Sequence, residues 1–162
     1  MSFTEILSRE HTVVLEQLRA FEQAVQGRSA DGLWKGLRFL EGGLTLHRRK
    51  EEDVLFPRLA LHFPLGQGPV HCMLLEHRDE HEHISALRRA LEQGRLDAAV
   101  EAGRYLLDLL RNHIWKEDNV LFPMAGHLLV AAEQEEVLKE FGEIGSCCPD
   151  CATARSEREP AR

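Results

Sequence analysis

Two stretches of the chain share an unusual string of residues, HRRKEEDVLFP and HIWKEDNVLFP. In each, a histidine is followed four residues later by a glutamate, so that His47 pairs with Glu51 and His113 pairs with Glu117. Residues four apart on an α-helix lie on one face, about 40° apart around the axis and about 6 Å apart along it. Because imidazoles and carboxylates are natural ligands of transition-metal ions, the spacing predicts a metal site carried by helices.

The repetition extends beyond these strings. Moving the sequence by 66 residues superimposes the two strings and also places Glu10–His11 on Glu76–His77, without a gap. The two histidines of each half are 36 residues apart, one early in a helix and one late in the next. In antiparallel helices, such histidines meet at the same end. The sequence therefore predicts an all-α fold, an up-down-up-down four-helix bundle built from two helix–turn–helix repeats.

Local signals mark the helices of this bundle. Ser2 and Glu5 match a capping box at the start of the first helix, and Pro69 suits the first turn of the third. Apolar residues recur at spacings of three and four, and no alternating pattern typical of strands is present. A short extra C-terminal helix is predicted over residues 132–142.

The C-terminal segment differs in composition from the rest of the chain. Residues 146–162 carry few apolar side chains, so we expect a mobile tail after a bundle domain that spans residues 1–145. The tail contains Cys147, Cys148 and Cys151. The spacing of the last two is typical of a redox pair or of half a zinc site. We hypothesise that they cycle between dithiol and disulfide, with an inert tail as the alternative.

Composition narrows the class of protein. The chain has 162 residues and a net charge of −7, so no nucleic-acid-binding face is expected. No apolar run approaches the roughly 20 residues that a membrane span needs. The first residues lack the pattern of a signal or transit peptide, and the four cysteines do not form a secreted disulfide framework. We expect a cytoplasmic protein that binds neither nucleic acid nor membrane.

A third pair with the same spacing, His77 and His81, follows the apolar stripe of the third helix. Five histidines and two glutamates then converge in one apolar interior, where burying each unpaired charge would cost several kcal/mol. Metal ions remove that cost. The predicted ligands are His11, His47, Glu51, His77, His81, His113 and Glu117. The other four histidines fall off these faces and are assigned to the surface or connectors: His62, His71, His83 and His127.

Two other metal sites fit the sequence less well. A ferritin-like di-iron centre requires two Glu-x-x-His pairs, and the chain offers Glu80-x-x-His83 but no suitable glutamate before His47 or His113. A zinc hydrolase needs fewer ligands around one ion with an open position. Seven convergent groups are too many for that.

The complete pattern, H…HxxxE…HxxxH…HxxxE with EEDVLFP and EDNVLFP after the ligands, resembles the hemerythrin-like (HHE cation-binding) family from residue 5 to about residue 142. The resemblance implies a four-helix bundle around two non-haem iron ions, bridged by two carboxylates and by a solvent-derived oxo or hydroxo group. It implies three histidines on one iron and two on the other. The two sets would be His77, His81 and His113, against His11 and His47.

One predicted ligand has a rival residue, and another has no counterpart in the internal repeat. Hemerythrin itself takes its last carboxylate from HxxxxD, which would select Asp118, whereas the HHE branch uses HxxxE and selects Glu117. Glu117 also matches Glu51 under the 66-residue shift, so we predict Glu117 and keep Asp118 as the rival. The counterpart of His81 under the same shift is Leu15, so the internal repeat alone does not predict His81.

On this arrangement, the iron with three histidines is full and the other keeps one position open. A small ligand, O2, peroxide or NO, could bind there. Two classes of function follow: reversible binding, in O2 or iron carriage or sensing, and redox enzymology, in peroxide or NO reduction or iron delivery to damaged iron–sulfur centres. The chain shows no electron-donor or output domain, which favours a binding protein, but whether it is an enzyme stays open at this stage.

Overall fold

The computed structural model describes residues 1–147, so Cys148 and Cys151 lie outside the described residues and their redox cycling stays a prediction. The described part contains eight α-helices and two π-helical turns, and no strand occurs within it. In chain order these are α1 (Phe3–Gln26), α2 (Ala30–Glu41), α3 (Gly43–Arg49), π1 (Lys50–Leu55), α4 (Phe56–Ala60), α5 (Pro69–Glu92), α6 (Leu96–Lys116), π2 (Glu117–Leu121), α7 (Phe122–Leu128) and α8 (Ala131–Ile144).

The predicted four-helix bundle is confirmed. Helix α1 packs against α2 and α6, and α5 packs against the same two helices, so that the four form a closed ring around one interior. The second and fourth members of the bundle continue through π1 and π2 into α4 and α7. Helix α8 is the predicted extra C-terminal helix, and it packs against π1 and α1.

The helix starts follow local chemistry. The Ser2 hydroxyl accepts a hydrogen bond from the Glu5 N–H at 3.2 Å, and the Glu5 carboxylate accepts one from the Ser2 N–H at 2.7 Å. This is the predicted capping box, and it satisfies two backbone donors that a helix start leaves unpaired. Helix α5 begins at Pro69, where the missing N–H costs nothing because the first turn has no partner for it.

Each HxxxE string contains a turn that the sequence does not predict. The Phe56 N–H donates to the carbonyl of Glu51, five residues earlier, and the Phe122 N–H donates in the same way to Glu117. Each string carries a proline, and the chain continues helically beyond both prolines. The wide turn starts a new helix in which Pro57 lies in the first turn, where no N–H is required.

The buried apolar side chains form two clusters. One fills the bundle around Val14, Leu18, Leu37, Leu87 and Leu106. The other lies under α8 and includes Phe3, Leu7, Phe56, Phe122 and Phe141. Along the helices of the bundle, buried polar residues lie between the two apolar clusters. Among residues 1–147, no helix combines the length and the apolar composition that crossing a membrane would require.

Candidate metal centre

Six of the seven predicted ligands meet in the bundle interior. They form two groups that share both glutamates, and within each group the ligand atoms lie within 4.8 Å of one another. All six residues are buried. The first group is His11, His47, Glu51 and Glu117, and the second is Glu51, His77, His113 and Glu117.

The two glutamates lie between the pairs of histidines. One oxygen of Glu51 is 3.1 Å from Nε2 of His47, and its other oxygen is 3.4 Å from Nε2 of His77. Glu117 repeats this arrangement with distances of 3.2 Å to Nε2 of His11 and 3.1 Å to Nε2 of His113. Each carboxylate therefore offers one oxygen to each pair of histidines, as two bridging ligands of a dinuclear centre would.

Unsatisfied polar atoms show that the cluster suits a metal. Seven buried side-chain nitrogen and oxygen atoms in the described part of the chain have no hydrogen-bond partner. Six of them are Nε2 of His11, Nε2 of His47 and both oxygens of Glu51 and Glu117. Orphaned buried polar groups are rare and costly, and a cation among these atoms would satisfy them together. The chemistry of the donors, imidazole and carboxylate, suits iron.

His81 does not belong to this cluster. Its side chain is exposed, and the structure places Glu80 on the buried face instead. The buried residues of α5 alternate at spacings of three and four through Val70, Met73, His77, Glu80, Ile84 and Leu87. This alternation brings the residue three positions after His77 into the interior and turns the fourth outward. Each of the two groups therefore contains two histidines, where the resemblance implied three and two.

Replacing His81 with leucine, the residue at the equivalent position of the first repeat, is expected to leave the metal content and the visible spectrum unchanged. The side chain is exposed and can be removed without opening the cluster. Metal analysis and absorption spectra of the iron-loaded wild type and variant test this directly. A changed spectrum would restore His81 as a ligand.

An outer layer of carboxylates orients the imidazoles. Each histidine of the cluster pairs its Nδ1 with one carboxylate oxygen, which directs Nε2 toward the centre. The pairs are His11–Asp118 at 2.9 Å, His47–Glu10 at 2.9 Å, His77–Glu52 at 2.7 Å and His113–Glu76 at 2.7 Å. Asp118, the rival bridging ligand, thus lies against the far side of His11, whereas Glu117 belongs to both groups.

Sequence reasoning missed this outer layer, although the repeat contains it. Under the 66-residue shift Glu10 matches Glu76, and Glu52 matches Asp118. The repeated Glu–His dipeptides were the signal, since the glutamate recurs with its histidine. Two of the four pairs join different repeats, because Asp118 binds His11 and Glu52 binds His77. The outer layer therefore ties the halves of the bundle together.

Two lysines complete the outer layer. Lys50 donates to Glu10, and its repeat partner Lys116 donates to Glu76. Lys50 is fully buried, whereas 40% of the Lys116 side chain is exposed. Glu10 also accepts a hydrogen bond from the Ser146 hydroxyl at 2.6 Å, so the start of the C-terminal segment contacts the outer layer of the site.

The carboxylates favour protonated imidazoles when no metal is bound. Burial alone would lower the pKa of His47, but the charge of Glu51 and the hydrogen bond with Glu10 raise it to about 10. Burial likewise lowers the pKa of His77, but the neighbouring carboxylates of Glu51 and Glu52 raise it to about 9. A metal ion that binds these imidazoles must therefore displace protons.

Aromatic rings close the cluster on the side of α8. Phe122 stacks on His11 with ring centres 5.3 Å apart, and its repeat partner Phe56 stacks on His77 at 5.6 Å. Both phenylalanines come from the shared VLFP string and belong to the apolar cluster under α8. Packing of this kind restricts the imidazole planes and excludes water from that side.

A small cavity of about 10 Å³ lies beside the cluster. Five of the six cluster residues line it, together with Arg48, Glu80 and the apolar side chains of Leu44, Leu110 and Ile114. A cavity of about this volume is the smallest that can hold one water molecule. Only a ligand of very few atoms fits without movement of the walls.

The remaining histidines lie apart from the cluster, as predicted. His62, His71 and His127 are exposed. His83 is partly exposed and stacks on Tyr105 with ring centres 3.8 Å apart.

Comparison with known proteins agrees with the geometry. The family profile of the hemerythrin HHE cation binding domain matches residues 2–125. Two curated proteins named iron-sulfur cluster repair protein YtfE, from Cronobacter sakazakii and Enterobacter sp. (strain 638), are each 34% identical over 103 residues. Each alignment covers 58% of this chain and 47% of the relative, so the chain spans about half the length of these curated relatives. No solved structure matches the chain significantly.

Proposed function

The chain belongs to the hemerythrin HHE cation-binding domain family, and from that premise we propose that it binds two non-haem iron ions and takes up a small ligand beside them. His11 and His47 would hold one iron, and His77 and His113 would hold the other. The observation that carries the proposal is the sharing of Glu51 by both groups of ligand atoms, which Glu117 repeats. A site for one metal has no need of two carboxylates that each face two pairs of imidazoles.

Bound iron would supply reversible electron transfer and open positions for a ligand such as O2, peroxide or NO. The protein's part is to hold four imidazoles in place through their Nδ1 atoms and to keep the centre dry. The small volume of the cavity beside the cluster favours a ligand of very few atoms. This volume gives an organic substrate no room.

A redox enzyme is the second candidate. Such an enzyme would reduce peroxide or NO, or deliver iron to damaged iron–sulfur centres. The observation that favours it is the match to two proteins named for iron–sulfur cluster repair. Because the match covers about half of those relatives, binding of a small ligand stays the first proposal.

We expect the purified protein to contain two irons per chain. Metal analysis after expression in iron-replete medium measures this number, and the visible spectrum of the reduced protein in air separates the two candidates. An absorption band that forms with O2 and disappears when O2 is removed supports reversible binding. Oxidation that repeats only with added reductant supports an enzyme. One tightly bound zinc and no iron would overturn the proposal.

A further inference from the structure

One buried carboxylate near the metal centre has an oxygen without a hydrogen-bond partner among the described residues. Glu80 is 1% exposed, and its Oε1 makes no hydrogen bond to any described residue. The nearest charged groups are Nη1 of Arg48, 3.8 Å from Oε2, and Nδ1 of His113, 3.9 Å from Oε1. Both distances exceed that of a hydrogen bond. Because a buried carboxylate oxygen without a hydrogen bond is costly, a closer cationic partner would stabilise this side chain.

The position of Glu80 points to the metal centre as that partner. It follows His77 by three residues on the buried face of α5 and lines the same cavity as histidines of both groups. A carboxylate and a histidine three residues apart on one helix can both reach a dinuclear centre, as the Glu-x-x-His pairs of di-iron carboxylate proteins do.

Glu80 also breaks the symmetry of the site. Under the 66-residue shift each cluster residue and each outer carboxylate has a counterpart of the same chemistry. Glu80, however, corresponds to Val14, and its neighbour Arg48 corresponds to Ile114. Both counterparts are buried and apolar. Glu80 is therefore a carboxylate on one side of a site whose ligands and outer carboxylates otherwise follow the two-fold repeat.

We propose that Glu80 is a third carboxylate ligand of the centre and binds the metal held by His77 and His113. This inference rests on the proposed two-metal site. Glu80 already lines the same cavity as these two histidines, and a metal bound there would give its carboxylate a closer partner than Arg48.

Cobalt(II) titration of the metal-free full-length chain tests the assignment, because the visible absorption of this ion reports its coordination number. Glu80→Val copies the residue of the first repeat and fills the same apolar space. We expect the wild type to bind two ions and the variant to bind one of them more than about 100-fold more weakly. Removing a residue that only orients a ligand typically weakens metal binding by about 10- to 100-fold, so a larger loss indicates a direct ligand. The absorption per ion should rise as that ion loses a ligand.

Two further variants keep the result interpretable. Glu82→Val makes the same chemical change on the exposed face of α5 and should titrate like the wild type. Glu80→Gln keeps the side-chain volume and should weaken the same ion if Glu80→Val does not fold. Wild-type affinity for both ions in the folded Glu80 variants would overturn the inference. Fewer than two ions in the wild type would instead overturn the proposed two-metal site.

Discussion

Replacing Glu117 with alanine is expected to reduce the iron content of the purified protein from two ions per chain to one or none. Both oxygens of Glu117 are buried, lack hydrogen-bond partners and face histidines of both groups. The substitution would remove one oxygen from each metal and leave four imidazoles with a single carboxylate. Glu51→Ala should behave in the same way, since Glu51 occupies the equivalent position of the first repeat.

Asp118→Ala is the matched control, one residue farther along the same turn. Asp118 binds Nδ1 of His11 and the Ser8 hydroxyl, so its loss should leave two irons bound with about 10- to 100-fold weaker affinity. Iron analysis and competition with a chelator measure both effects, and circular dichroism checks the fold. If Asp118→Ala lost its iron while Glu117→Ala kept both ions, the assignment of the bridging carboxylate would be wrong.

Replacing Lys50 with methionine is expected to lower the free energy of unfolding of the metal-free protein by about 3 kcal/mol, because it strips a buried carboxylate of a charged partner. Glu10 and Lys50 are both fully buried. Loss of one partner of a buried ion pair typically costs about 3–5 kcal/mol, and we expect the lower value because His47 and Ser146 still form hydrogen bonds with Glu10. Methionine keeps an apolar stem of similar length and removes only the ammonium group, which lies 5.9 Å from the centre of the Phe141 ring.

Lys116→Met provides the comparison, because Lys116 makes the equivalent contact with Glu76 in the second repeat. Its side chain is 40% exposed, so water can take over from the lost ion pair and the cost should be under about 1 kcal/mol. Urea unfolding of both variants in a chelating buffer measures the difference. Equal losses would mean that burial does not decide the strength of these pairs.

Several features of the fold followed from local sequence. The Ser2–Glu5 capping box and the start of α5 at Pro69 depend on residues within one helical turn, so they could be identified without knowing any distant contact. The repeat extended this reasoning to the bundle. Under the 66-residue shift, His11, His47 and Glu51 each correspond to a residue of the same type, so two equivalent halves surround one interior. The six residues that meet in that interior were all among the predicted ligands.

The local sequence pattern could not decide which of two neighbouring residues on one helix faces the interior. His81 and Glu80 flank the interior face of α5 on opposite sides, separated from His77 by about 40° and about 60°. Either can be turned inward by a small rotation of the helix. The packing of α5 against α2 and α6 sets that rotation, and it selects Glu80.

The sequence alone determined the helical class and the two-fold repeat, and its seven candidate ligands included all six residues of the cluster, because these depend on spacing along single helices. Only the tertiary structure decided the π-turns after Glu51 and Glu117 and the pairing of Asp118 with His11, which are 107 residues apart. Burial of Lys50 but not of Lys116 was decided in the same way, since α8 packs against π1 and covers one repeat while the other stays open. These features depend on which distant segments pack against one another, and the spacing of residues within one helix carries no information about such contacts.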